Sequence, residues 1–333
     1  MGFCLLFLWL LILGGELLVK RYIAKRVGIS ALTLLAILLI LFLMLELMPG
    51  SPFNDEKLTQ SQVALLNAKY GLDKPVFVRF LQYVKHMLSG DFGVSYTISK
   101  NTSITTLLAS RLPISVRIGG QAVLLGTIIG LILGLIAALK HNTILDTMTT
   151  VISVLGVSLP SYVFALGLSY TLGYQFKWFP LLYQQQEAVK SSVLPTISLA
   201  MFTVATVARF TRTEMLEVLG SDYMLLAESK GLPGWRLILV HGLRNALIPI
   251  VTVLAPLVVS LMTGSLVVEK IFSIPGIGSL LVTAIQSNDY NVIVTLAFIY
   301  SAMYIGIMLA VDILYGLIDP RIRLAKEDEY EQS

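Results

Sequence analysis

Long uncharged runs separated by short charged connections dominate the chain. A bilayer core is ~30 Å thick, so a helical crossing needs about 20 mostly apolar residues. Six runs meet or approach that length: residues 27–45, 118–139, 147–176, 191–208, 245–268 and 290–311. The first stops at Glu46 and the breaker Met48-Pro49-Gly50-Ser51-Pro52. Pro160 lies inside the third run, Pro195 near the start of the fourth, and Pro249 and Pro256 inside the fifth. Proline in a lipid-embedded helix is tolerated and bends it. The pattern therefore predicts an all-α polytopic membrane protein with six core spanning helices.

A further run, residues 3–19, is apolar except for Glu16. No Lys or Arg precedes it and no small-residue cleavage site follows, so it does not read as a signal peptide. It fits an extra N-terminal helix. It also fits an over-extended gene start, because Gly14-Gly15-Glu16 is what a purine-rich ribosome-binding sequence spells in translation. Val19 would then be a GTG start, and this is the expectation for residues 1–18.

Lys and Arg concentrate in short cytoplasmic loops. Lys20, Arg21, Lys25 and Arg26 precede the first core span, and Lys140 separates the second and third. Arg209, Arg212, Lys230, Arg236 and Arg244 fall between the fourth and fifth, and Arg321, Arg323 and Lys326 follow the sixth. The alternate short connections hold only Lys177, Lys190 and Lys270. The asymmetry places the C-terminus in the cytoplasm. The resulting division is an extension over 1–18, a basic start and first span over 19–49, and an external segment over 50–112. A core of five spans over 113–320 and a charged cytoplasmic tail over 321–333 complete it. The external segment predicts helices over 61–70 and 76–88, punctuated by Gly71, Pro75 and Gly90-Asp91-Phe92-Gly93.

The loop over 211–244 is long and patterned, unlike the other cytoplasmic connections. Asp222 reads as a cap for a helix over 223–230 that stops at Gly231, with Pro233 just after it. A second helix is expected over 235–243. Leu225, Leu226, Leu232, Trp235, Leu237, Ile238, Leu239 and Val240 are too many apolar residues for a solvated loop. Either they pack on the chain's own helices and the headgroups, or they dock a cytoplasmic partner.

Composition agrees with a lipid-embedded protein. Apolar residues make up 56% and charged residues 13%, against about 25% charged in soluble domains. This excludes a disordered chain and argues against a soluble enzyme. A net charge of +4 requires no nucleic-acid partner. The single cysteine, Cys4, can form no internal disulfide, and His86, His141 and His241 show no metal-ligand spacing. The sequence carries no Gly-x4-Gly-Lys-Ser/Thr phosphate loop, no His-Glu-x2-His and no Gly-x-Ser-x-Gly. No cofactor, metal or catalytic residue is expected, and any energy must come from another chain.

The loop itself resembles a known family. Asp222-Tyr223-Met224-Leu225-Leu226-Ala227-Glu228-Ser229-Lys230-Gly231-Leu232, then His241-Gly242-Leu243-Arg244-Asn245-Ala246-Leu247-Ile248-Pro249, is similar to the cytoplasmic loop of ABC importer permeases. Leu225-Leu226-Ala227 stands where that family typically has Glu-Ala-Ala, a departure shared by its peptide and nickel branch. Pro49-Gly50-Ser51-Pro52-Phe53, Tyr70-Gly71-Leu72-Asp73-Lys74-Pro75, Thr263-Gly264-Ser265, Glu269 to Gly278, and Asp312 to Arg321 extend the resemblance nearly end to end from Val19. The nearest match is the B-type permease subunit of bacterial oligopeptide importers.

The resemblance implies the type I ABC importer transmembrane fold in a bacterial cell membrane. It also implies half of a peptide path, a homologous C-type permease, two cytoplasmic ATPase subunits and an external peptide-binding protein. Asp222, Tyr223, Leu226, Ala227, Glu228, Gly231, Leu232 and Arg244 would form the ATPase-coupling loop. Dipeptides or nickel are the alternative cargoes, and an ion-coupled carrier or channel is the alternative class. That class would require charged relays inside the spans or an inverted repeat, and neither is visible.

Other positions keep two readings each. Gly126, Gly130 and Gly134 repeat on one helical face, for close packing within the subunit or at the seam with the partner permease. Ser158, Ser161, Tyr162, Thr203, Thr206, Ser260 and Thr263 are candidates for lining the path, yet Ser and Thr often bond their own helix carbonyls. Arg117 reads as an anchor at the outer interface. Glu46 and Asp312 read as paired or snorkelling groups near span ends. Glu269 and Pro275-Gly276-Ile277-Gly278 form either an external gate or an ordinary interfacial loop.

Overall fold

The computed structural model describes residues 25–45, 47 and 60–318. The 1–18 extension, Glu46, the breaker at 48–53 and the tail over 321–333 lie outside the described residues, as does the side chain of Asp312. Among the described residues the regular structure is helical, with one isolated antiparallel bridge between Val94 and Ser103.

Helix α1 spans Lys25–Leu45. The external segment holds α2 (Gln60–Tyr70) and α3 (Val76–Leu88). Next come α4 (Ile104–Leu139), α5 (Ile144–Ser158) and α6 (Ser161–Leu168), the last continuing as a π-helical stretch to Gln175. α7 (Ala188–Leu219) leads into the short α8 (Asp222–Ser229). α9 (Gly234–Arg236) runs through a π-helical stretch, Leu237–Leu243, into α10 (Arg244–Met262). α11 (Leu266–Ile271), α12 (Ile277–Gln286) and α13 (Tyr290–Ile318) complete the chain.

Five continuous helices are long and apolar enough to cross a membrane, and a sixth crossing requires α5 and α6 to be taken together. The run over 147–176 was expected to be one bent span, but its two halves meet at 102°. The cause is local. Proline pushes the preceding residue out of the helical region. Leu159 adopts φ −90°, ψ 126° and Pro160 φ −60°, ψ 144°, so two consecutive residues are extended. Pro113, Pro195, Pro249 and Pro256 remain inside α4, α7 and α10. α4 also starts at Ile104, fourteen residues before its uncharged run, and so carries part of the expected external segment.

α7 is the axis of the bundle: 78% of its most apolar stretch is buried, against 6% for α1. Its packing depends on small residues. A Cβ on Gly126 would lie 2.6 Å from Thr203 Cβ, one on Gly130 2.7 Å from Val207 Cβ, and one on Gly134 2.5 Å from the Ala208 carbonyl. Gly156 of α5 meets α7 the same way at Ala205. The glycine stripe therefore faces α7 of the same chain, not a seam with another subunit.

Three apolar clusters stack along the bundle. One joins α1, α3, the start of α4, α12 and α13 through Phe42, Phe80, Ile104, Leu280 and Val292. A second holds Ile118, Leu194, Val268 and Phe272. The third, with Val207, Met215, Ala246 and Ile250, lies at the end that carries α8.

Candidate functional site

α7 has 32 residues, about 48 Å at 1.5 Å per residue, which exceeds a ~30 Å bilayer core. Its final turns, from Arg209 onward, run past the end of the uncharged run at 208 and carry α8. Ser221 precedes α8 in an extended conformation, and its hydroxyl donates to the Val218 carbonyl at 2.6 Å. Asp222 was expected to cap the helix and instead occupies its first turn, where its charge complements the helix N-terminus.

α8 divides into two faces. Met224 and Ala227 are 3% and 9% exposed and turn inward, so Ala227 belongs to internal packing. Tyr223, Leu225 and Leu226 are 44%, 65% and 56% exposed. Asp222, Glu228 and Arg244 are also exposed, and Leu232 is half-buried. Trp235 stands exposed beyond the turn, with the Arg236 guanidinium 5.2 Å from its ring centre. A cleft of about 240 Å³ opens between Leu219, Asp222, Leu225, Glu228 and Leu237. Some of the apolar loop residues thus pack on the chain's own helices, and others stay exposed.

Lys230 ends α8, and Gly231 follows at φ +75° with its N–H donating to Glu228 O at 2.8 Å. The second helix expected over 235–243 forms no separate unit. It is the π-helical beginning of α10.

Two clusters gave no sign in the sequence, one around Asp146 and one around Asp289. Arg212 of α7 forks onto Asp146 of α5, with Nε at 2.5 Å from Oδ1 and NH2 at 2.9 Å from Oδ2. His141 Nδ1 lies 3.0 Å from Asp146 Oδ2, and the Asn142 N–H donates to the same oxygen at 3.0 Å. The Asp146 side chain is only 6% exposed. Asp146 carried no signal of its own in the sequence, because its partner is 66 residues away.

On the opposite end, Glu269 is 4% exposed. Ser115 Oγ of α4 donates to its Oε1 at 2.7 Å, and the Ser279 N–H in the first turn of α12 donates to Oε2 at 2.7 Å. The Ile277 N–H donates to Ser115 Oγ at 2.9 Å. A Cβ on Gly276 would overlap the carboxylate, and one on Gly264 would stand 2.5 Å from it. The turn at 275–278 is therefore clamped to α4 through one acid. Nearby, the Arg117 NH2 donates to Tyr183 Oη and to the Ala188 carbonyl, both at 3.2 Å.

Asp289, fully buried, gathers the external loop. It accepts from Ser95 Oγ at 2.6 Å and from the N–H groups of Tyr96, Thr97 and Ile98 at 3.1–3.2 Å.

The path candidates separate by exposure. Thr203 and Thr206 are 0% and 7% exposed and consumed by helix packing, so neither presents a hydroxyl to an open face. Ser158 and Tyr162 are exposed and Ser161 half-buried, all flanking the α5–α6 break. Ser260 is exposed, while Thr263 donates to the Val259 carbonyl at 2.9 Å. Among the described residues no His, Cys, Asp and Glu cluster could hold a metal.

Residues 130–324 match the family model described as "Binding-protein-dependent transport system inner membrane component". The dipeptide transport system permease protein DppB of Lactococcus lactis subsp. cremoris is 42% identical, covering 91% of this chain and 99% of that protein. DppB of Bacillus subtilis is 41% identical over 92% of this chain and 99% of its own length. The oligopeptide transport system permease protein OppB of Escherichia coli K12 is 38% identical over 91% and 99%. An inward-facing structure of the MetNI methionine ABC transporter is similar in fold, with TM-score 0.52 and 15% identity, covering 64% of this chain and 96% of that one.

Proposed function

Because this chain belongs to the family of inner membrane components of binding-protein-dependent transport systems, we propose that it is the peptide permease subunit of an ATP-driven importer. It encloses half of the path, with a homologous second permease supplying the other half. Two cytoplasmic ATPase subunits hydrolyse ATP, and an external protein delivers the peptide. The chain is a multi-pass membrane protein, and we place its C-terminus in the cytoplasm of a bacterial cell.

The observation that carries this reading is the uncovered apolar face of α8: Tyr223, Leu225 and Leu226, held outside the span by α7 and α10. An apolar face in water calls for a partner. An ATPase groove that grips α8 moves α7 and α10 together, because both flank the loop. The Arg212–Asp146 fork extends that movement to α5.

The α5–α6 break supports a path beside it. Leu159 lies thirteen residues beyond Asp146, about 20 Å along the helix and well inside a ~30 Å core. Non-helical backbone at that depth is tolerated only where it is buried in protein or lines a watery cavity. Ser158, Leu159 and Pro160 are exposed in this chain, so the break faces the partner permease or the path, not lipid. Ser158, Ser161 and Tyr162 are there to hydrogen-bond a peptide backbone. Oligopeptides are the cargo we assign; dipeptides are the second reading, favoured by the names of two relatives.

The test is copurification and uptake. The chain should be recovered with two ATPase chains and a second permease. Tyr223→Ala combined with Leu226→Asp should release the ATPase chains and lower uptake of labelled peptides about tenfold or more, the effect of losing ~1.4 kcal/mol of binding. Retained ATPase chains with unchanged uptake would refute the proposed grip. Competition between dipeptides and longer peptides then assigns the cargo.

A further inference from the structure

Helix α3 is amphipathic, and its apolar arc is wider than the protein covers. Phe80 and Met87 are buried in the cluster shared by α1, α4, α12 and α13. Phe77, Leu81 and Leu88 are 62%, 52% and 81% exposed. At 3.6 residues per turn these three fall within about 40° of one another, directly beside the buried arc. The exposed Gln82 and His86 lie on the far side, and Lys85 stands between.

Two spans independently fix the depth of α3. Phe42 of α1 meets the Phe80 ring at 5.6 Å and the Tyr83 ring at 5.4 Å. It lies three residues before Leu45, where the uncharged run ends, or about 4.5 Å inside that boundary. Tyr83 Oη hydrogen-bonds Thr295 Oγ1 of α13 at 3.0 Å. Thr295 lies five residues after Tyr290, about 7.5 Å inside the start of that span. α3 thus sits at the rim of the apolar layer, at the level where α1 ends and α13 begins. At the same level α1 exposes Ile40, Leu43 and Met44.

We propose that α3 is an interfacial helix seated at the boundary of headgroups and acyl chains, with Phe77, Leu81 and Leu88 immersed in lipid. An amphipathic helix in that position buries its apolar face in the leaflet and keeps its polar face in water. Lys85, on the border of the two arcs, reaches for the headgroups along its own stem. The surface that α3 presents is therefore a lipid-binding one, which anchors the external segment to the leaflet. The proposal requires only that α1 and α13 cross the bilayer, and it is independent of the cargo.

Nitroxide labelling tests it in the assembled importer, reconstituted in nanodiscs of phosphatidylcholine and phosphatidylglycerol. Phe77→Cys, Leu81→Cys, Leu88→Cys and the control Gln82→Cys are made singly on a Cys4→Ser background. Collision rates are measured with oxygen, which concentrates in lipid, and with a water-soluble nickel chelate. The expected oxygen-to-nickel ratio is several-fold higher at 77, 81 and 88 than at 82. A ratio at those three positions equal to that at 82 means water and overturns the proposal. Suppressed collisions with both reagents mean that a protein partner covers the face, and overturn it equally. All four positions are exposed, so the loss of one of the variants at 77, 81 or 88 leaves the others decisive against the control at 82.

Discussion

Glu269 shows how much one side chain holds in this protein. It accepts from Ser115 on α4 and from the first turn of α12, and it is enclosed where glycines leave room for it. A carboxylate at a helix N-terminus satisfies donors the helix cannot, and it complements the helix dipole. Glu269→Ala would strand those donors, at about 1–3 kcal/mol for each one left unsatisfied. Glu269→Gln keeps an acceptor for the α12 N–H and an amide that can donate to Ser115. Thermal unfolding of the purified complex should therefore rank wild type above Gln and Gln above Ala; an Ala variant as stable as wild type would refute the clamp. Part of this site was legible beforehand. The acid and the Pro-Gly-Ile-Gly turn stood out, but the role of Ser115 did not, because a hydroxyl 154 residues away carries no local signal.

The helices show where local chemistry suffices. The apolar spacing over 76–88 and the turn residues around it were enough for α3. The end of α8 is similarly local: a tight turn needs positive φ, and Gly231 supplies it at +75°. A Cβ there meets nothing within 4 Å, so the constraint is in the backbone alone. Gly231→Ala should cost about 1–2 kcal/mol, the penalty of the left-handed region, and Gly231→Val more, since β-branching adds strain. Uptake assays with ATPase chains still bound should show a graded loss of coupling, Val below Ala; equal uptake in both variants and wild type would remove Gly231 from the mechanism. The break between α5 and α6 was harder to foresee. Five prolines stand in or near the spans, and one of them, Pro160, breaks its helix through 102° while four are absorbed. Proline chemistry is the same at each; packing against neighbours differs.

The assembled bundle adds the connections that make movement transmissible. α7 is packed against α4 and α5 through glycine contacts and is tied to α5 by Arg212 and Asp146. A largely buried bidentate pair is weak evidence of net stability, but breaking it from one side costs about 3–5 kcal/mol. Arg212→Ala should therefore lower the thermal stability of the complex and uncouple ATP hydrolysis from uptake. Asp146→Asn together with Arg212→Gln, which leaves no charge buried alone, should recover much of the stability and less of the coupling. Full coupling in both variants would show that α7 needs no tie to α5.

Membrane embedding, the approximate spans, the patterned loop and the family resemblance were all legible in the amino-acid order. They depend on local quantities: the length of an apolar run, the spacing of turn residues, the asymmetry of Lys and Arg. What covers each side chain was decided at the level of packing. Ala227 turned inward while Leu226 stayed out, and Thr203 and Thr206 vanished between helices while Ser158 and Tyr162 remained free. Those outcomes depend on which helix lies alongside and at what angle. A hydroxyl or a carboxylate reads the same in sequence whether its neighbour is lipid, water or a serine more than a hundred residues away.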